Sequence, residues 1–116
     1  MEASSEIMQS IRETASKVLP TGAQLILFGS RARGDAQEDS DWDLLILLEQ
    51  EKVSHDDYDN IAFPLVELGW GFNAQINPLV YTYAQWRKRF FTPSYKSVEQ
   101  EGIVLCRQHW KKRERS

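Results

Sequence analysis

Residues 28–48 read FGSRARGDAQEDSDWDLLILL, and the assignment of the rest of the chain depends on them. A strand ends at Phe28, a turn follows at Gly29 and Ser30, a polar loop runs to Ser40, and a second strand opens on Asp41 and Asp43. Strand alternation puts Asp41, Asp43, Leu45 and Leu47 on one face and Trp42, Leu44 and Ile46 on the other. The two carboxylates therefore project the same way, roughly 7 Å apart along the strand. Unpartnered they repel, and each desolvated carboxylate is unfavourable. A divalent cation removes that penalty, and Mg2+ characteristically takes one or two carboxylates together with substrate phosphates.

Gly29 and Ser30 complement that pair. They open a short helical turn carrying Arg31 and Arg33, and offer backbone N–H groups and a hydroxyl suited to phosphate oxygens. Glycine suits the position because a side chain would hold a phosphate off the backbone. Most Gly-Ser pairs after strands are only turns, and a lone Asp-x-Asp is more often solvated than metal-binding. Joined within one short stretch, they point to a nucleotide whose β- and γ-phosphates rest on Gly29 and Ser30 while metal on Asp41 and Asp43 reaches the α-phosphate. In-line attack by an acceptor hydroxyl would then expel pyrophosphate. Arg31 and Arg33 are candidate triphosphate contacts, with surface ion pairs to the acidic loop as the alternative.

Working outward, Ile7, Met8, Ile11, Ala15 and Val18 recur at three- and four-residue steps, predicting an amphipathic helix over 4–19. Residues 23–28 read as a strand buried on both faces. Ser54 caps a helix with apolar positions Tyr58, Ile61, Ala62, Leu65 and Leu68, and Pro64 predicts a kink or break over 60–63. Residues 72–81 read as a third strand, with Pro78 marking a sheet edge or bulge. Thr82 and Gln85 form a capping box for a helix to Phe91, and Thr92-Pro93 opens another that Gly102 ends. Residues 103–106 are a short apolar piece, and 107–116 a basic tail, helical in outline.

With 116 residues, the chain is long enough for a single core. Its 41% hydrophobic and 27% charged residues fit a globular domain rather than a disordered one. No apolar run is long enough to span a bilayer, no basic-then-apolar signal pattern opens the chain, and the lone Cys106 fits a reducing cytoplasm. Charge is divided unevenly: residues 1–59 carry five Lys/Arg against thirteen Asp/Glu, and residues 60–116 nine against four. The acidic first half argues against nucleic acid as the main partner. Trp70, Trp86, Phe90 and Phe91 sit at spacings typical of a core, with a partner-binding patch as the alternative.

The string GSRARGDAQEDSDWDLLIL resembles the signature of the minimal nucleotidyltransferases, the smallest members of the DNA polymerase β-type superfamily. Their pattern is a hydrophobic residue, Gly-Ser, a spacer, then Asp-hydrophobic-Asp-hydrophobic; here these are Phe28, Gly29-Ser30 and Asp41-Trp42-Asp43-Leu44. TPSYKSVEQEGIVL at 92–105 is similar to the C-terminal helix of bacterial members, so the domain is expected to cover 1–106. The resemblance implies an α/β (α+β) fold, a mixed sheet of three to four strands backed by helices. It also implies Mg2+ and a nucleoside triphosphate, with ATP as the leading choice. A helical HEPN-type protein is the implied partner, often in a toxin–antitoxin pair in which the transferase adenylylates the toxin. Oligomeric state is left open.

The chain departs from that family pattern at one place. Active members take a third carboxylate from the next strand, and residues 72–81 contain no acid. Gln75 or Asn77 stands there instead. An amide oxygen can coordinate Mg2+ but brings no charge and cannot act as a base near neutral pH. Metal and triphosphate binding with weakened turnover is the expectation, and an inactive adaptor or antitoxin that binds a HEPN-type partner is the alternative.

Overall fold

The computed structural model describes residues 3–109. In chain order the elements are α1 (Ala3–Val18), β1 (Gln24–Phe28), α2 (Ser30–Arg33), β2 (Trp42–Leu48), α3 (His55–Asp57), α4 (Phe63–Gly71), β3 (Ile76–Thr82), α5 (Tyr83–Arg87), α6 (Pro93–Glu101) and β4 (Ile103–Arg107). The strands form one sheet in the order β3-β2-β1-β4. β1 is antiparallel to both β2 and β4, whereas β2 and β3 are parallel, so the sheet is mixed. Parallel neighbours cannot be joined by a hairpin. Here α3, a π-helical turn at Tyr58–Ala62 and α4 make the crossover.

Alternation along the central strands sorts side chains into two cores. On one face Leu25, Leu27, Trp42, Leu44, Ile46 and Leu48 meet Ile7, Ile11 and Ala15 of α1 and Leu65 of α4. On the other, Ile26, Phe28, Leu45 and Leu47 meet Trp86 of α5 and Val98 of α6. Burial on both sides explains why β1 and β2 read as nearly continuous apolar runs. Each fully buried Leu or Ile contributes roughly 1.5–3 kcal/mol, so the sheet centre anchors the fold. Asp43 has the parity of Leu45 and Leu47, as alternation required, and emerges where the second core ends.

Local departures from the sequence expectation have local causes. The break foreseen ahead of Pro64 is the π-helical turn, where the Phe63 N–H reaches back to the Tyr58 carbonyl. Five-residue spacing lets the helix continue past a proline that has no N–H to donate. The third strand begins at Ile76, not at 72. Phe72 and Ala74 N–H groups donate to the Gly69 carbonyl at 3.0 and 2.8 Å, and Asn73 takes a left-handed φ of 57°, so 72–75 wrap the end of α4. Helix α5 stops at Arg87, because the Arg89 and Thr92 N–H groups turn back to the Trp86 and Arg89 carbonyls.

Arg107, assigned to the tail from sequence, belongs to β4. Beyond it, Gln108 exchanges backbone bonds with Gly22 and Ala23 at 2.7 and 2.8 Å. The helical outline drawn for the tail falls mostly on 110–116, outside the described residues. Among the described residues no helix is long and apolar enough to cross a membrane.

Candidate active site

The turn after β1 and the start of β2 are brought together by strand register. Phe28 pairs with Asp43 in the last rung of the β1–β2 ladder, and Ser30 opens α2 just beyond it. Gly29 between them has φ 78° and ψ −158°, a conformation essentially confined to glycine. A Cβ on Gly29 would stand 2.5 Å from Oδ2 of Asp43. The missing side chain thus lets the turn close directly onto the carboxylate. The first helical bonds of α2 run from the Ala32 and Arg33 N–H groups to the Gly29 carbonyl. The Ser30 and Arg31 N–H groups precede them in the turn, before helical bonding begins.

β3 completes the row. Its parallel register sets Asn77 beside Asp43, and the Asn77 side-chain amide donates to Asp41 Oδ2 at 2.9 Å. Gln75 lies before the strand begins, is exposed, and donates to Asn77 Oδ1 at 3.3 Å. Of the two amides proposed for the third position, Asn77 is therefore the one level with the carboxylate pair. Burial pushes the Asp43 carboxyl above its ordinary value; the nearby Asn77 amide pulls it down, the Asp41 charge pushes it up, and Arg33 pulls it down. Desolvation and a like charge both disfavour the ionised form, which is the strain a cation relieves. Asp41 and Asp43 are two hard oxygen donors fit for one such ion. Among the described residues there is no group of three or more His, Cys, Asp or Glu that could hold a metal.

The two arginines separate. Arg31 Nη2 donates to the Glu38 and Ser40 carbonyls at 3.1 and 3.0 Å, and the guanidinium lies 4.5 Å from the Trp42 ring centroid. Its guanidinium is engaged in holding the 34–41 loop. Arg33 is exposed, and bonds Asp35 at 3.2 Å and Glu101 of α6 at 2.9 Å. Those partners raise its pKa, with the Asp35 hydrogen bond the largest cause. Glu101 also accepts from the Ser97 hydroxyl at 2.6 Å. Nothing in the local sequence marks Glu101 as a neighbour of the site, because the contact spans most of the chain.

The fold that carries these residues has counterparts in known proteins. The family model described as Nucleotidyltransferase domain matches residues 7–105. The chain belongs to that family. It is 31% identical over 99 residues to a protein of Methanocaldococcus jannaschii named as a candidate protein adenylyltransferase, across 85% of this chain and 93% of that one. Among solved structures it is similar to a toxin–antitoxin complex with AMP-PNP, with a TM-score of 0.58, 17% identity, and coverage of 84% of this chain and 71% of that one. It is also similar to a complex of the tri-AMPylated HEPN toxin of Shewanella oneidensis with an MNT antitoxin, with a TM-score of 0.53, 14% identity, and coverage of 87% and 70%. At such identities the structural likenesses establish the nucleotidyltransferase fold.

This nucleotidyltransferase-family chain has one groove at Asp41 and another beside Asn77. One, about 1070 Å³, runs between Arg31, the 37–41 loop and Phe72 and includes Asp41. The other, about 830 Å³, lies outside β3 between Asn77, Gln75 and the aromatics Tyr58 and Trp70. They share Asn73, Ala74 and Gln75. Of the aromatic residues singled out in the sequence, Trp86 is buried, ringed by Tyr81 and Tyr95, whereas Trp70, Phe90 and Phe91 are each more than three-fifths exposed.

Proposed function

We propose that the chain binds a nucleoside triphosphate, ATP first, and transfers its nucleoside monophosphate to a hydroxyl on a partner protein, with release of pyrophosphate. Gly29 and Ser30 hold the triphosphate end, Asp41 and Asp43 hold Mg2+, and Asn77 stands where a third carboxylate would complete the set. When bound, the cation neutralises the carboxylate pair and the phosphate oxygens. The observation that carries this reading is the closeness of Gly29 to Asp43, which leaves no room for even a methyl group between turn and carboxylate.

Calorimetry with ATP and Mg2+ tests it. Binding is expected in the wild type and lost in Asp41→Asn and Asp43→Asn; absence of nucleotide binding in the wild type overturns the assignment. The relatives' toxin–antitoxin context suggests a HEPN-type protein as the acceptor. Incubation with labelled ATP, Mg2+ and the product of the adjacent gene should move label onto that protein.

One observation favours a second reading. Asn77 offers no base for the acceptor proton and turns its N–H, not its oxygen, toward Asp41. The chain would then act as an adaptor that binds a HEPN-type partner with little or no transfer. A stable complex that stays unlabelled under the same conditions supports it.

A further inference from the structure

The order of strands fixes a direction of approach. Neighbouring strand ends carry, in turn, the Gly29-Ser30 turn on β1, the Asp41–Asp43 pair on β2 and Asn77 on β3. If the pyrophosphate end rests on β1, as proposed above, an in-line displacement requires the nucleophile to arrive opposite to it, from the β3 side. The space on that side is the groove of about 830 Å³ beside Asn77. We propose that this groove receives the acceptor, and that the acceptor is an extended, largely uncharged polypeptide segment presenting a Tyr, Ser or Thr hydroxyl.

The lining selects that chemistry. None of the residues bordering the groove is charged. A nucleic acid or a phosphorylated metabolite would call for Lys or Arg. Instead the groove has the amides of Asn73, Gln75 and Asn77 opposite two aromatics, Tyr58 (44% exposed) and Trp70 (64% exposed). The Trp70 ring packs edge-on against Phe63 with 5.7 Å between centroids, which sets its orientation and leaves it open to solvent. Exposed Trp and Tyr beside hydrogen-bonding amides are the usual anchors for polypeptide. β3 is also an outer strand. The Gln75 carbonyl points inward to the Trp42 N–H at 2.9 Å, so by alternation the backbone of Ile76 and Pro78 faces outward along the groove. Those positions offer carbonyls to a strand laid alongside, the recognition mode of added-strand binding.

In the transfer step the acceptor oxygen bonds to the α-phosphorus and the bond to the bridging oxygen breaks. Pyrophosphate leaves with that electron pair. The hydroxyl proton passes to water, since the Asn77 amide has no basic atom.

The inference rests on the nucleotide assignment, so the experiment separates the two. Short fluorescein-labelled uncharged peptides, each with one Tyr, Ser or Thr, are titrated by anisotropy in the presence of Mg2+ and a non-hydrolysable ATP analogue. An oligoadenylate serves as the competing probe, and ATP affinity is measured in parallel by calorimetry. Peptide binding is expected, weakened about tenfold by Trp70→Ala and by Tyr58→Ala, with ATP affinity unchanged. Absence of peptide binding, binding indifferent to both substitutions, or loss of oligoadenylate binding instead would each overturn the groove assignment. If the wild type fails to bind ATP, the nucleotide reading falls on its own, and the peptide titration still decides the groove.

Discussion

Asp43→Asn should make the metal-free protein more stable while destroying its response to Mg2+ and ATP. Two unit charges roughly 7 Å apart repel by about 0.6 kcal/mol at a dielectric constant of 80 and about 2.4 kcal/mol at 20. Asp41 is exposed and Asp43 half-buried, which places the pair nearer the first figure. Arg33 and Asn77 offset part of it. A net gain of about 0.5–1 kcal/mol follows, or about 2–4 °C in Tm for a domain of this size. The sign with pH is fixed by the raised carboxyl of Asp43. A folded-state value above the unfolded one means that the penalty is absent below about pH 3.9, grows as pH rises through the folded value, and is constant above. The advantage of the variant should therefore vanish in acid and be complete at neutral pH. Saturating Mg2+ and ATP at a hundredfold over Kd adds about 2.7 kcal/mol to the wild type alone and reverses the order. Thermal melts of both proteins, in chelator and in Mg2+–ATP at several pH values, measure all of this. A variant less stable than wild type in chelator at neutral pH would refute the repulsive-pair argument.

The amides at the third position give a second test. Asn77→Asp should raise transfer of label from ATP by about 10²–10⁴ by supplying a base, whereas Gln75→Asp, outside the strand, should leave it nearly unchanged; equal effects would show that register does not select the position. Gly29→Ala should destabilise by roughly 1–3 kcal/mol from backbone conformation alone and weaken Mg2+–ATP binding, read by denaturant melts and calorimetry. Arg31→Ala should lower stability by about 2 kcal/mol through two lost charge-assisted bonds and speed proteolysis of the 34–41 loop, and Arg31→Lys should recover little because a lysine cannot fork to both carbonyls.

The sequence was most readable where one physical constraint dominates. β2 was assigned to within a residue of its observed bounds, because burial on both faces leaves an uninterrupted apolar run and two aspartates mark its mouth. The cap at Ser54 and the capping box at Thr82 were equally plain, although the helix after Thr82 stops at Arg87 and not at Phe91. Pro64 announced a break, but the wide π-helical turn depends on how the preceding carbonyls regroup. Alternation over 72–77 looked like strand, since periodicity cannot show that Gly69 draws Phe72 and Ala74 into the end of α4. That shift of four residues matters for the site: it leaves Gln75 outside β3 and places Asn77 beside Asp43. Arg31 and Arg33 are two residues apart and chemically identical. Only the tertiary course of the loop and of α6 decides that one grips carbonyls and the other meets Glu101.

The pairing of β1 with β4 also has a consequence for how the chain is made. Gln24 lies opposite Arg107, so one side of the central strand stays unpartnered until the ribosome has added the intervening residues. At about 5–20 residues per second, that interval is on the order of 4–17 s. Throughout it, an apolar strand end with open hydrogen-bonding groups can zip onto another nascent chain. Closure comes only when Gln108 seats against Gly22 and Ala23, so yield on expression should respond to slower translation and to chaperone supply well before the folded protein's own stability is affected.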